Sequence, residues 1–331
     1  MNFRKITNEF SLYSLALFLA VFLRLLNLGA FPLSDQEANW ALQAQQISQL
    51  SANKDVVIGS QPAYIFTTGL TFILLNTSNF LARFWPAVIG AMLVITPYLF
   101  RNKLGKKAAL LLAWGLALDP GLVAVSRQAG GPMMALTFAV LALGFWVNRR
   151  SIAASILAAL ALLSGAAIMH GISIGLLGWL VFRRSSRSRT DDEILTRPPG
   201  EWKIGLFALL ATFLTIGTLF FRYPQGISGW TSAITEFLAG ISQPSGTPAW
   251  RILVASWVYQ PLPWIFALAA VFRTLYQWLI LKINPAFENF VLMGCAGFAL
   301  GVVLIYPRHT TSDLVWFTIL LWSIAAQELS Q

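Results

Sequence analysis

The chain has 331 residues, of which 57% are apolar and 11% charged, with 13 Trp and 24 Phe. A soluble domain of this size carries about a quarter charged residues, so composition excludes that class and indicates a polytopic helical membrane protein. The net charge of +10 does not mark a nucleic-acid binder: the basic residues sit in short loops between apolar runs, where they set topology and attract anionic lipid. Cys295 is alone, which excludes an internal disulfide.

The basic N-terminus, MNFRKITNEF, precedes an apolar run over 10–28. That run is long for a signal-peptide core and shows no small-residue cleavage site, so it is expected to be an uncleaved anchor. The segment GAFPLSDQEANWALQAQQISQL, 29–50, follows it. Ser34 and Glu37 have the spacing of a capping box that opens a helix. Trp40, Ala44, Ile47 and Leu50 share one face of that helix, and Asn39, Gln43 and Gln46 another. An oily face and an amide face just outside a span predict a helix lying in the interface plane, with Asp35 and Glu37 at its first turn.

Ten candidate spans follow from hydropathy: 10–28, 80–100, 108–125, 131–148, 152–169, 171–182, 204–221, 252–272, 288–306 and 313–328. With the N-terminus cytoplasmic, 16 of the 23 basic residues fall on the cytoplasmic side. Arg24, Lys54, Arg83, Arg127, Arg222, Arg251 and Arg308 are the seven left outside. The bias requires that 62–79 does not cross, so this Thr-rich segment is expected to be a second interfacial or half-inserted helix. The loop 183–203, RRSSRSRTDDEILTRPPGEWK, reads as a solvated cytoplasmic connector. The loop 222–251 faces outside, with a third surface helix expected near 229–240. The expectation is one transmembrane domain over 1–331, with a core at 10–182, the basic loop at 183–203 and C-terminal spans over 204–331. No P-loop, dinucleotide fingerprint or Ser-His-Asp set appears, and two distant histidines make no metal-ligand spacing. Asp35 and Glu37 offer the oxygen ligands a divalent metal takes, so a metal is allowed but not required.

An ordered set of motifs then stands out: Pro32-Leu33-Ser34-Asp35-Gln36-Glu37-Ala38, Gln61-Pro62, Ala82-Arg83-Phe84-Trp85-Pro86, the basic turn from Arg101 to Lys107, and Asp119-Pro120 leading to Ser126-Arg127-Gln128-Ala129. Over roughly 10–180 this resembles the GT-C class of lipid-linked-sugar glycosyltransferases, in particular the protein O-mannosyltransferase and aminoarabinose-transferase group. The resemblance implies an all-α integral membrane protein with interfacial helices in the first outer loop. It also implies a polyprenyl-phosphate sugar donor entering from the bilayer, and inverting transfer at the outer face of a bacterial inner membrane.

That reaction needs a carboxylate to take the acceptor's proton and cations to stabilise the leaving phosphate. Asp35 is the expected base, with Glu37 orienting the acceptor or sharing that role. Arg127, His170, Arg308 and His309 are the expected phosphate ligands, with Asp313 supporting Arg308. The group's acidic positions are occupied here by Gln36 and Pro132, and its Thr-Lys-Gly turn reads Met169-His170-Gly171. These departures keep open a second expectation, a non-catalytic structural or lipid-binding subunit of a membrane complex. A transporter is disfavoured because the charged residues gather at one face instead of the midplane.

Overall fold

The structure, a computed structural model, describes residues 3–49, 58–186, 201–244, 246–282 and 287–331. Among these every regular element is helical. The helices are α1 Phe3–Leu25, α2 Asp35–Ser48, α3 Pro62–Leu75, α4 Asn79–Met92, α5 Thr96–Leu99, α6 Arg101–Leu104, α7 Lys106–Leu118, α8 Pro120–Ser126, α9 Pro132–Val147, α10 Ser151–Leu162, α11 Ile168–Ser186, α12 Glu201–Gly217, α13 Gln225–Ala239, α14 Ala249–Tyr259, α15 Pro261–Leu279, α16 Phe287–Ile305 and α17 Leu314–Leu329. The helix expected near 229–240 is α13. Most of the basic loop 183–203, and Leu50, lie outside the described residues.

Among the described residues one continuous helical stretch, Asn79–Leu99, is long and apolar enough to cross a bilayer by itself. Two bent pairs meet the same test only if each is counted as a single span: α7 with α8, bent by 56°, and α14 with α15, bent by 96°. Six further apolar helical stretches of 10–17 described residues lie within α3, α9, α10, α11, α12 and α16. The runs 108–125 and 252–272, expected to be continuous, are therefore both broken. Each break falls at a residue before proline, Asp119-Pro120 and Gln260-Pro261. Proline has no N–H to give the carbonyl one turn back, and it disfavours helical geometry in the residue ahead of it.

α2 begins as its sequence predicts. The Ser34 hydroxyl accepts from the Glu37 N–H, and the Glu37 carboxylate accepts from the Ser34 N–H, closing the capping box. The oily stripe behind it does not face lipid. Trp40, Ala44 and Ile47 are buried, with Ala44 and Ile47 seated against Gly69 of α3. The two helices thus cover each other.

α3 does not run alongside α4 as a hairpin partner would. Tyr64 donates its hydroxyl to the Ala82 carbonyl at 2.8 Å, and the Trp85 indole donates to Thr71 Oγ1 at 2.7 Å. Residues two turns apart on α3 meet α4 within a single turn. In a hairpin, Tyr64 would sit about two turns further down α4. α3 therefore leans across the first turns of α4.

Candidate functional site

The polar groups of the first half of the chain meet at a short connector, Arg127 to Gly131, between α8 and α9. Arg127 donates from its two terminal nitrogens to the carbonyls of Leu23 and Asn27, at 2.8 and 3.4 Å, at the end of α1. Gln128 Oε1 accepts from the Ser312 hydroxyl at 3.3 Å. The Ala129 N–H donates to Glu37 Oε1 at 2.8 Å, and the Gly131 N–H to Gln61 Oε1 at 2.7 Å. Five residues therefore draw together the ends of α1, α2, α3 and the turn ahead of α17. Gly131 cannot carry a side chain here, since a Cβ would sit 1.7 Å from the Ser164 carbonyl oxygen.

Glu37 is the most constrained member. Its Oε1 accepts from Arg83 Nε and the Ala129 N–H, both at 2.8 Å. Its Oε2 accepts from Arg83 Nη2 at 2.8 Å and from the Ser34 N–H at 2.9 Å. The remaining Arg83 donors reach the carbonyls of Leu28, Phe31 and Pro32. All five guanidinium N–H groups are thereby satisfied in this bidentate pair. Burial pushes the Glu37 carboxyl up, but the hydrogen bonds from Arg83, Ser34 and Ala129 outweigh it and hold the group at about 2. Such a carboxylate is a poor proton acceptor and has no oxygen free for a metal ion. Among the described residues no three His, Cys, Asp or Glu side chains converge as ligands.

Asp35 occupies the same first turn but is exposed to solvent. It is the acidic group of that turn left free to meet a ligand.

The second half of the site lies in the turn between α16 and α17. Asp313 is buried, and its Oδ2 accepts from the Thr310 N–H at 2.8 Å and from the Thr310 hydroxyl at 2.9 Å. Its Oδ1 faces His170 Nδ1 at 3.7 Å. His170, 3% exposed, sits edge-on to the stacked rings of Phe237 and Tyr306. His309 is also buried, with Nδ1 2.7 Å from the Tyr306 carbonyl and Nε2 2.7 Å from the Thr247 carbonyl. Arg308 is exposed, and its nearest carboxylate is Glu236 at 4.0 Å. The support expected for Arg308 from Asp313 is absent: Asp313 binds its own turn and faces His170.

The Ser312–Gln128 contact joins the two halves. It brings the 127–131 connector, against which Glu37 packs, next to the turn that holds Asp313 and His170, with Arg308 and His309 set toward α13 and the start of α14.

A second polar centre is absent from the sequence expectations. Arg24, counted there among the outer residues, is 0% exposed within the bundle. It donates to the carbonyls of Ala20 and Ala117 at 3.2 Å and of Leu116 at 3.1 Å. Leu116 is the acceptor that Pro120 cannot serve, so Arg24 repairs the break in the α7–α8 span. Asp119 caps α8 through the Leu122 N–H and accepts from Gln260 Nε2 at 2.9 Å and Trp322 Nε1 at 2.8 Å. Gln260 marks the other break, so both interruptions close on one carboxylate. The available signal was an arginine inside an apolar run together with two X-Pro steps.

No family model and no curated protein matches the sequence. Solved structures do. ArnT from Cupriavidus metallidurans bound to undecaprenyl phosphate superposes with a TM-score of 0.68 at 14% identity, covering 100% of this chain and 61% of that one. The same ArnT in the apo state gives 0.63 at 16% identity, over 98% and 59%. The oligosaccharyltransferase of Archaeoglobus fulgidus, in complex with Zn and sulfate, gives 0.54 at 15%, over 96% and 48%. The chain spans about three fifths of the ArnT chain and about half of the oligosaccharyltransferase. At these identities the likeness is one of fold: this chain has the fold shared by the ArnT and oligosaccharyltransferase structures.

Proposed function

We propose that the protein transfers a sugar, with inversion, from a polyprenyl-phosphate donor to an acceptor hydroxyl or amine at the outer face of a bacterial inner membrane. The observation that carries this reading is the superposition of the whole chain on a transferase captured with undecaprenyl phosphate. The convergence of the α2 start, the 127–131 connector and the 308–313 turn at one end of the bundle supports it. On this reading the chain crosses the membrane about ten times, the broken pairs each counting once, with the N-terminus cytoplasmic and membrane lipids around the apolar helices.

The acceptor's lone pair attacks the anomeric carbon, the bond from that carbon to the phosphate oxygen breaks, and its electron pair leaves with the lipid phosphate. Asp35 takes the acceptor's proton. Arg127 and Arg308 supply the positive field in which the phosphate charge grows, with His170 and His309 behind them as hydrogen-bonding groups. Glu37 holds the α2 start against Arg83 and the connector, which fixes where Asp35 stands.

The test is turnover of a polyprenyl-phosphate sugar by the purified protein in nanodiscs, wild type against Asp35→Asn. Loss of a positioned base lowers the rate about 10²- to 10⁴-fold; equal turnover removes Asp35 from the mechanism. One observation favours a second reading, a non-catalytic lipid-binding subunit of a membrane complex: Glu37 is fully engaged within the protein. Donor binding without turnover, together with co-purification of a membrane-protein partner, would establish that alternative.

A further inference from the structure

α14 wears its oilier side outward. Its 11 residues are apolar or aromatic except for Arg251 and Ser256. Trp250, Leu253, Val254, Trp257 and Val258 recur at spacings of three and four, and all five are exposed. The opposite face, with Ile252 and Ser256, is buried. That inner face braces the 96° bend at which α14 meets α15. The Ser256 hydroxyl donates to Gln260 Oε1 at 3.3 Å and accepts from Trp264 Nε1 at 3.1 Å, so it ties the two helices across the break. Gln260 in turn donates to Asp119 at 2.9 Å and to Thr318 at 3.1 Å. The angle is therefore held from inside the bundle.

The bend sets how α14 lies in a bilayer. α15 has 19 residues, about 28 Å of helix, enough to cross most of the hydrocarbon alone. An exposed stripe of Leu262, Ile265, Phe272, Tyr276 and Leu279 marks its lipid side from end to end. α14, about 16 Å long, is too short to cross. Nearly perpendicular to a spanning α15, it runs close to the membrane plane. Contacts at its two ends agree. Thr247, just ahead of α14, has its carbonyl 2.7 Å from the His309 ring, in the turn before α17. Gln260, just behind α14, binds Thr318 in the second turn of α17. A helix parallel to α17 would set these two contacts about three turns apart.

We propose that α14 is a membrane-surface helix: it lies in the plane of one leaflet, and phospholipid is the partner of its exposed face. Acyl chains meet the Trp250–Val258 stripe, which adjoins the lipid side of α15 across the single residue Gln260. Charge complements the other part of the lipid. Arg251 is exposed, its guanidinium carbon lies 5.7 Å from the Trp250 ring centroid, and among the described residues it pairs with no carboxylate. An arginine beside an indole at the membrane boundary reaches headgroup phosphate. The run 252–272, expected to be one span, thus divides into a helix on the membrane and a helix through it. On the proposed topology the leaflet is the outer one; the lie of α14 depends neither on that sidedness nor on the transfer reaction.

Nitroxide depth measurements on the full chain in phosphatidylglycerol-containing bilayers test this. Cys295 is the sole cysteine, so Cys295→Ser gives a background for single labels. Trp250→Cys, Val254→Cys and Val258→Cys report on the α14 stripe, and Ile265→Cys on the lipid side of α15. All four positions are exposed, so the labels displace no packed side chain. Collisions with oxygen are expected to exceed those with a water-soluble nickel chelate at all four. Depth across 250, 254 and 258 is expected to stay within about 5 Å, given the bend and an ordinary tilt of α15. A steady sweep of about 12 Å over those eight residues marks a spanning helix and overturns the proposal. Chelate collisions in excess at 250, 254 and 258 place the face in water and overturn it too. Shielding from both reagents means that protein covers the face, a second copy where the labels broaden one another and a different chain where they do not, and either overturns it. A water-exposed label at 265 overturns it through α15, by denying that helix the membrane.

Discussion

Replacing Glu37 by Gln tests what holds the α2 start. The side chain keeps its shape, but an NH2 group replaces one acceptor oxygen and must face two donors, from Arg83 together with either Ser34 or Ala129. The Arg83 guanidinium, whose side chain is 9% exposed, then loses its countercharge. Breaking a buried, hydrogen-bonded ion pair from one side costs about 3–5 kcal/mol, a large share of the ~5–15 kcal/mol that holds a domain together. Reversible SDS or urea titration of the reconstituted protein, read by tryptophan fluorescence, measures it. A double-mutant cycle with Arg83→Met isolates the pair, because removing both partners leaves neither charge stranded. The pair also has an acid signature. Its folded carboxyl sits at about 2 against an ordinary 4.5, so its stabilisation is complete above about pH 4.5 and is lost as pH falls toward 2. Glu37→Gln should lack that loss. A variant within about 1 kcal/mol of wild type, or a coupling below about 0.5 kcal/mol, would refute the clamp.

The Asp119→Asn variant turns one acceptor oxygen into a donor facing Trp322, Gln260 or the α8 cap, and should lower stability by about 2–3 kcal/mol in the same titration. Asp35→Asn, at an exposed position, should stay within about 0.5 kcal/mol, which makes it a clean probe of activity. Gly131→Ala forces a Cβ onto the Ser164 carbonyl and should cost at least the ~1–3 kcal/mol of core overpacking, read as lost monodisperse protein on size exclusion. Arg24→Met leaves the Leu116 and Ala117 carbonyls without their long-range donor, and hydrogen exchange over 116–122 should rise while the α2–α3 region stays protected.

What could be read from the sequence was local, or periodic over a few turns. The capping box at Ser34 and Glu37 was legible because its partners are three residues apart, and α13 because small and aromatic residues punctuate it. Arg83 was legible as a motif member but not as the partner of Glu37, 46 residues away in the chain. The oily face of α2 was correctly located but its partner, α3, was not named, because amphipathicity says a face is buried and not against what. The breaks at Asp119 and Gln260 escaped hydropathy, which averages over a proline. Arg24 escaped it for the same reason: charge counting places an arginine by the loop it adjoins, and this one turns inward to serve carbonyls that a broken helix releases.

Arg24, Arg83 and Arg127 share a use that bears on the reaction. Each was an outer-face cation in the sequence expectation, and each gives N–H groups to main-chain carbonyls at a helix end or break. Arg24 and Arg83 have no path to a ligand short of dismantling those ends. Arg127 differs in degree. It is half-buried, with one contact at 2.8 Å to Leu23 and a looser one at 3.4 Å to Asn27. A phosphate oxygen is a stronger acceptor than a carbonyl. In the proposed reaction the donor phosphate therefore draws the looser arm of Arg127 away from Asn27, while the tighter arm still holds the end of α1. Arg308, exposed and 4.0 Å from its nearest carboxylate, gives up less on meeting the same phosphate. Substituting Arg308 should then weaken donor binding with little change in stability, and substituting Arg127 should weaken both, since only Arg127 also holds the frame.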